Sequence, residues 1–289
     1  MQRLYKIYST GFKVIIKRKI SGFLGISILS LLLVFGSDRI QNLQLGNPSQ
    51  ANSSIELTVS AAASLKNVME EIALLYQEEY PDKKIIYNFA SSGSLQRQIE
   101  QGAPVDVFIS AAANKMDALE KRDLLLKETR RDLLQNQMVL VVPKNHKNNN
   151  IKLNDFDDLS SQEITTIALG EPKSVPAGTY AQEVLTSFNI ADKVNSKAVY
   201  AKDVRQVLNY VATGNVDAGI VYRTDAQASD NTKIVATAPE TSHSSVVYPI
   251  AVIKDSDRPE AATELIEFLT TPKVQEVLEN YGFISVISH

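Results

Sequence analysis

Cysteine is absent from the 289 residues, and so is tryptophan. The first absence excludes disulfides, thiolate metal centres, a cysteine nucleophile and an anchor carried on a lipid-modified cysteine. Histidine is scarce: His146 lies in a polar loop, His243 precedes a strand, His289 ends the chain, and no two have the spacing of metal ligands. A serine nucleophile would need a base within reach. Neither G-x-S-x-G nor Ser-x-x-Lys occurs, since Lys66 follows Ser64 by two residues rather than three. A serine-dependent hydrolase is therefore the weaker class of reading. Acidic residues are missing from the first 36 positions, where Arg3, Lys6, Lys13, Lys17, Arg18 and Lys19 precede an apolar run from Ile20 to Gly36. That combination is an export signal or a membrane anchor, with Val34 and Gly36 as small residues ahead of a cleavage point at Ser37. The run sits at the lower limit for spanning a bilayer, and its serines and glycines weaken a permanent span. Residues 37–54, rich in Asn, Gln and Ser, read as a disordered spacer.

The leader hides the charge of the body behind it. The whole chain has 30 basic and 33 acidic residues, a net of −3; without the six leading cations 24 basic residues remain, and the net becomes −9. A body this acidic does not attract nucleic acid or anionic lipid through its overall field. If it binds an anion, local dipoles must do the work.

What the body does have is strands that stop abruptly at small residues and turn into helices. Ile55, Leu57 and Val59 alternate with polar neighbours, and beyond Ser64 the residues Val68, Ile72 and Leu75 return at helical spacing. Ser64 is expected at the helix N-cap, where its hydroxyl either caps a backbone N–H or turns outward to an anion. A second strand over Lys84–Phe89 runs into Ala90-Ser91-Ser92-Gly93-Ser94. A third, Ile164–Leu169, leads through Gly170 and two prolines to Ala177-Gly178-Thr179 at a helix start. A fourth, Val199–Ala201, leads to Asp203, an expected N-cap for the helix through Val207, Leu208 and Val211. Further strands are expected at Val105–Ile109, Met138–Val142, Ala218–Tyr222 and Ser245–Ile253. Strand and helix in alternation predict an α/β protein with mostly parallel sheets covered by helices, and no solenoid repeat is present.

In such sheets, ligands bind at the carboxyl ends of the strands. Helix starts at Ser64, Ser92, Ala177 and Val204, brought to one cleft, would surround a small doubly charged anion with N–H and O–H donors and no ammonium or guanidinium. Each N-terminus favours an anion by about 0.3–2 kcal/mol. Charge-assisted hydrogen bonds add roughly 1.5–3 kcal/mol each. About six of them exceed the ~8 kcal/mol of micromolar binding. Such a site also discriminates, because phosphate keeps a proton at neutral pH and that proton wants an acceptor, whereas fully ionised molybdate, tungstate or sulfate does not.

Several segments carry a resemblance when taken in order: Ala61-Ala62-Ala63-Ser64-Leu65, Phe89 to Leu95, Gly102 to Ala111, Val175-Pro176-Ala177-Gly178-Thr179-Tyr180-Ala181, Asp203-Val204-Arg205 and Gly219-Ile220-Val221-Tyr222. Over about 55–286 the set resembles the periplasmic molybdate-binding proteins of ABC importers. The resemblance implies a two-lobed type II periplasmic-binding fold, each lobe a mixed, mostly parallel sheet flanked by helices. Lobe 1 would be 55–137 with 245–289, and lobe 2 would be 138–244. It implies that Ser64 and Ser92 supply hydroxyl and N–H, Ala177 and Val204 their N–H, and Tyr222 its phenol. It further implies molybdate or tungstate as ligand, no cofactor, no directly coordinated metal, a membrane permease as partner, a monomer, and an extracytoplasmic site of action. The alternatives are a binding protein for another oxyanion such as sulfate, or a tethered oxyanion sensor.

Overall fold

The structure is a computed structural model describing residues 54–145 and 153–286. The leader, the spacer up to residue 53, His146 and His289 lie outside the described residues. Among the described residues no helix is long and apolar enough to cross a membrane.

Two mixed sheets organise the body. The first is built from β1 (Ile55–Ala62), β2 (Lys83–Ala90), β3 (Val107–Ile109), β4 (Arg131–Asn136), β10 (Val246–Val252) and β11 (Ile284–Ser285), in the order β11-β4-β10-β3-β1-β2. The second contains β5 (Met138–Pro143), β6 (Ile167–Gly170), β7 (Ala198–Ala201), β8 (Ala218–Tyr222) and β9 (Thr232–Thr237), in the order β7-β6-β8-β5-β9. Pairing is parallel where a helix connects the strands, between β1 and its neighbours β2 and β3 and between β6 and its neighbours β7 and β8. The remaining pairs are antiparallel. The chain leaves the first sheet at Gln137, between β4 and β5, and returns between Thr237 and Val246.

Helices cover the sheets as the apolar patterns require. In the first half α1 (Lys66–Glu79), α8 (Pro259–Leu269) and α9 (Pro272–Asn280) join one core, while α2 (Ser92–Glu100) and α3 (Ala113–Lys121) enclose a second. β3 divides between them: Val107 and Ile109 belong to one core and Phe108 to the other, the period of two that a strand buried on both faces must have. In the second half α4 (Pro176–Ser187), α5 (Ala191–Asn195), α6 (Val204–Ala212) and α7 (Arg223–Gln227) follow their strands in turn. β4, with Leu133 and Leu134 buried between Asp132 and Gln135, is a strand that the alternation pattern did not predict. The strand expected from Ile164 begins instead at Ile167, because the N–H groups of Thr165 and Thr166 donate to the Asp217 carboxylate at 2.8 and 3.0 Å rather than to a ladder.

One close approach sets where α4 begins. A methyl at Gly178 would lie 2.1 Å from the Gly170 carbonyl oxygen, so the absence of a side chain lets the helix start seat directly on the end of β6. Gly178→Ala is expected to cost about 1–3 kcal/mol through overpacking and to lower the melting temperature of the ligand-free protein by several degrees. Calorimetric melting of the variant beside the parent checks this; an unchanged transition would mean that the contact relaxes freely.

Candidate functional site

Parallel strands in a sheet end on the same edge, so β1, β2 and β3 deliver their carboxyl ends together, as do β6, β7 and β8. A small cavity lies where these ends meet, bordered by Ala62, Ser64, Ser92, Ala177, Val204 and Tyr222 among others, with both sheets contributing. All of the five residues singled out in the sequence therefore line one cavity. It encloses about 200 Å³ with its mouth included, below the roughly 300 Å³ at which pockets for organic ligands begin. No lysine, arginine, aspartate or glutamate is among its lining residues.

The donors reach it by different routes. Ser64 is not the N-cap expected: Ala62 holds that position, and Ser64 is the middle residue of a 3₁₀ turn, Ala63–Leu65, that precedes α1. Its Oγ lies 3.0 Å from Tyr248 Oη, so the hydroxyl is engaged by a distant strand rather than by its own backbone. At the second turn Ser91 occupies the cap position without capping, and Ser92 is the first residue of α2. Ser92 Oγ accepts the N–H of Ala111 at 2.9 Å. α4 starts with Pro176 and has no side-chain cap; the N–H groups of Gly178 and Thr179 go to the Val175 carbonyl, and Ala177, at the second helical position, has no carbonyl four residues back within its helix. Asp203 caps α6 as expected, but takes the N–H of Gln206 at 2.8 Å. Val204, at the first helical position, has no carbonyl four residues back within its helix. Tyr222 ends β8 fully buried, and its phenol makes no hydrogen bond within the protein. Burial holds that phenol well above its ordinary pKa, so it stays protonated and can only offer its hydrogen or an idle lone pair.

A charge does lie behind the cavity wall. Arg205, the second residue of α6, donates through Nε to the carbonyl of Ala63 at 3.3 Å and through a terminal nitrogen to that of Ser64 at 3.2 Å. Its Nε is also 2.7 Å from Oδ1 of the fully buried Asp225, a charge contact without hydrogen-bond alignment, since the single Nε hydrogen points at Ala63. Burial raises the Asp225 carboxyl to about 6, opposed by Arg205 and helped by Asp203. The guanidinium thus neutralises a carboxylate and satisfies carbonyls instead of entering the cavity. Those same bonds tie α6, from the second half, to the turn after β1, from the first. A second bridge runs from Gly93 N–H to Ser174 C=O at 3.0 Å, where a methyl on Gly93 would lie 2.6 Å from that oxygen. Both halves are thus in contact beside the cavity.

Sequence reasoning missed Tyr248, Asn136 and Arg205. The first two are joined, Asn136 Nδ2 to Tyr248 Oη at 3.3 Å, across 112 positions of chain, and Tyr248 meets Ser64 across 184. No local pattern marks such partners. Arg205 was visible inside the Asp203-Val204-Arg205 segment, but its direction was not.

The geometry agrees with comparisons to known proteins. A model of the family described as bacterial extracellular solute-binding protein matches residues 57–284. YvgL of Bacillus subtilis is 42% identical over 257 residues, covering 89% of this chain and 95% of that one. The molybdate-binding protein ModA of Haemophilus influenzae is 36% identical over 230 residues, 80% of this chain and 90% of its own. The solved Azotobacter vinelandii periplasmic molybdate-binding protein superposes with a TM-score of 0.71 at 23% identity, covering 81% of this chain and all of that one. That likeness establishes the two-lobed α/β fold of type II periplasmic-binding proteins. By its match over nearly the whole described body, the chain belongs to the family of bacterial extracellular solute-binding proteins.

Proposed function

We propose that this protein captures molybdate, and tungstate of the same charge and shape, between its two lobes outside the cytoplasm and delivers it to the membrane permease of an ABC importer. The observation that carries the reading is the cavity: Ser64, Ser92, Ala177, Val204 and Tyr222 surround a space of inorganic-ion size with no charged side chain on its wall. Neutral donors in a dry gap hold an anion that needs no proton and no counter-ion. The relationship to ModA supports molybdate as the ion. Lobe 1 in this reading is 55–137 with 245–289 and lobe 2 is 138–244, and the two crossings serve as the hinge. The protein works as a monomer, with no nucleic acid and no cofactor involved. The leader either directs export and is removed or keeps the protein at the membrane.

Molybdate at about a hundred times its dissociation constant is expected to stabilise the protein by roughly 2.7 kcal/mol, a rise of about 5–10 °C in melting temperature, while inorganic phosphate leaves it unmoved. A flat melting temperature across millimolar oxyanions would count against the reading, and displacement of molybdate by equimolar sulfate would move the assignment to sulfate.

Tyr222→Phe removes one charge-assisted donor and is expected to weaken molybdate binding about 10- to 100-fold with the ligand-free melt unchanged. Titration calorimetry reads this directly; equal affinity would take Tyr222 off the list of ligands. Gly93→Ala separates closure from folding. Its methyl meets the Ser174 carbonyl only when the lobes are shut, and alanine suits a helix better than glycine. The variant is expected to melt no lower than the parent without ligand, yet to bind molybdate more weakly and to keep an expanded envelope in solution scattering when ligand is added. Full compaction on ligand addition would show that this contact does not limit closure.

A further inference from the structure

Hydrogen-bond polarity around Ser64 can be followed back to a fixed point. The backbone N–H of Gln137 can only donate, and it donates to Asn136 Oδ1 at 2.9 Å. That contact orients the amide, so the other end of Asn136 is its NH₂ group. The two Nδ2 hydrogens have two partners, Thr224 Oγ1 at 2.9 Å and Tyr248 Oη at 3.3 Å. Tyr248 Oη therefore accepts from Asn136. An amide nitrogen cannot accept in return, and the adjacent Tyr222 phenol is not in hydrogen-bond geometry, so Ser64 Oγ at 3.0 Å is the acceptor the geometry offers the phenolic hydrogen of Tyr248. Tyr248 is wholly buried, and burial holds its phenol far above the ordinary pKa, so that hydrogen is always present. Ser64 Oγ is left with its own hydrogen to place, and Ser64 lines the cavity.

We infer that Asn136 and Tyr248 are positioning residues for the Ser64 hydroxyl: by occupying one of its lone pairs they leave its hydrogen to be donated into the cavity. The inference rests on the oxyanion reading above and deepens it to a rule of selection among anions of equal charge. Ser92 is set in the same sense by an independent partner, the Ala111 N–H, which occupies a lone pair of its oxygen. The Ala111 N–H is held in turn by a short loop in which Ser110 Oγ binds both the N–H and the carbonyl of Ala112. With both serines polarised outward, neither Ser64 nor Ser92 turns an oxygen toward the hydrogen of a monoprotonated anion. A serine free to rotate would offer that hydrogen an oxygen, so the relay is what removes the concession. It begins at Asn136 and Gln137, on the crossing between the sheets, and Asn136 also holds Thr224 of the second half.

Asn136→Asp reverses the relay at almost constant shape. The introduced carboxylate still accepts from Gln137 N–H, and it now takes the hydroxyl hydrogens of Thr224 and Tyr248, so Ser64 must donate to Tyr248 and turn a lone pair to the cavity. Near pH 8 molybdate and hydrogen phosphate are both essentially dianions, so the added negative charge weighs on both alike and their ratio reports the proton direction. Calorimetric titration with sodium molybdate, and competition of bound molybdate by inorganic phosphate, give that ratio for the parent, Asn136→Asp and Tyr248→Phe. The preference for molybdate is expected to fall about tenfold or more in Asn136→Asp, one hydrogen bond's worth of discrimination, and severalfold in Tyr248→Phe, where Ser64 is merely released. A structural defect would weaken both anions together and leave the ratio alone. Should Asn136→Asp not fold, Tyr248→Phe, which loses only an oxygen, carries the test. A parental ratio in the folded variants overturns the relay while leaving molybdate capture intact. Absence of molybdate binding by the parent overturns both.

Discussion

A doubly charged ion held by neutral groups requires that every polar atom facing it be a donor. This single requirement accounts for much of how the body is arranged. Helix starts satisfy it cheaply, because their first N–H groups have no acceptor of their own and carry the positive end of the helix dipole. Side-chain hydroxyls satisfy it only when something else consumes their lone pairs. Here the Ala111 N–H takes one lone pair of Ser92, and in the relay inferred above Tyr248 takes one of Ser64.

The requirement propagates outward into the packing. Placing helix starts at one point needs strands that end on a common edge, which parallel pairing about β1 and β6 provides in each half. Seating a helix start on its strand needs glycine at position 178 against Gly170, and bringing the two edges together needs glycine at position 93 against Ser174. A cation is still useful, but behind the wall: Arg205 spends its charge on buried Asp225 and its hydrogens on the Ala63 and Ser64 carbonyls. The carbonyl ends of that turn are thereby occupied from outside, and its cavity side is left to donors.

This arrangement also ties recognition to closure. Of the partners of Ser64, Tyr248 lies in β10 and Asn136 ends β4 next to the crossing at Gln137, and those that bridge the halves at the cavity, Arg205 and Ser174, belong to the half opposite the groups they touch. Were the halves to part, Ala177, Val204 and Tyr222 would leave Ser64 and Ser92, so the proposed donor set depends on both halves being in contact.

Much of this was legible in the residues alone. Alternating apolar positions in β1, the strand Lys84–Phe89 running into a serine cluster, Pro172 and Pro176 around the start of α4 and Asp203 ahead of α6 are local signals with local causes, and they located the turns that carry Ser64, Ser92, Ala177 and Val204. The missing cysteines, the scarce histidines and the acidic body narrowed the chemistry to uncharged recognition. Local signals could not say that β4 exists, since two leucines among charges have no clear period, or that Ser64 would sit inside a 3₁₀ turn rather than cap a helix. Nor could they pair Ser64 with Tyr248 across 184 residues or aim Arg205 away from the ion. Chain composition and short-range periodicity determined which groups are available as donors; only tertiary packing decided which way each hydrogen points, because that depends on partners brought together by the fold.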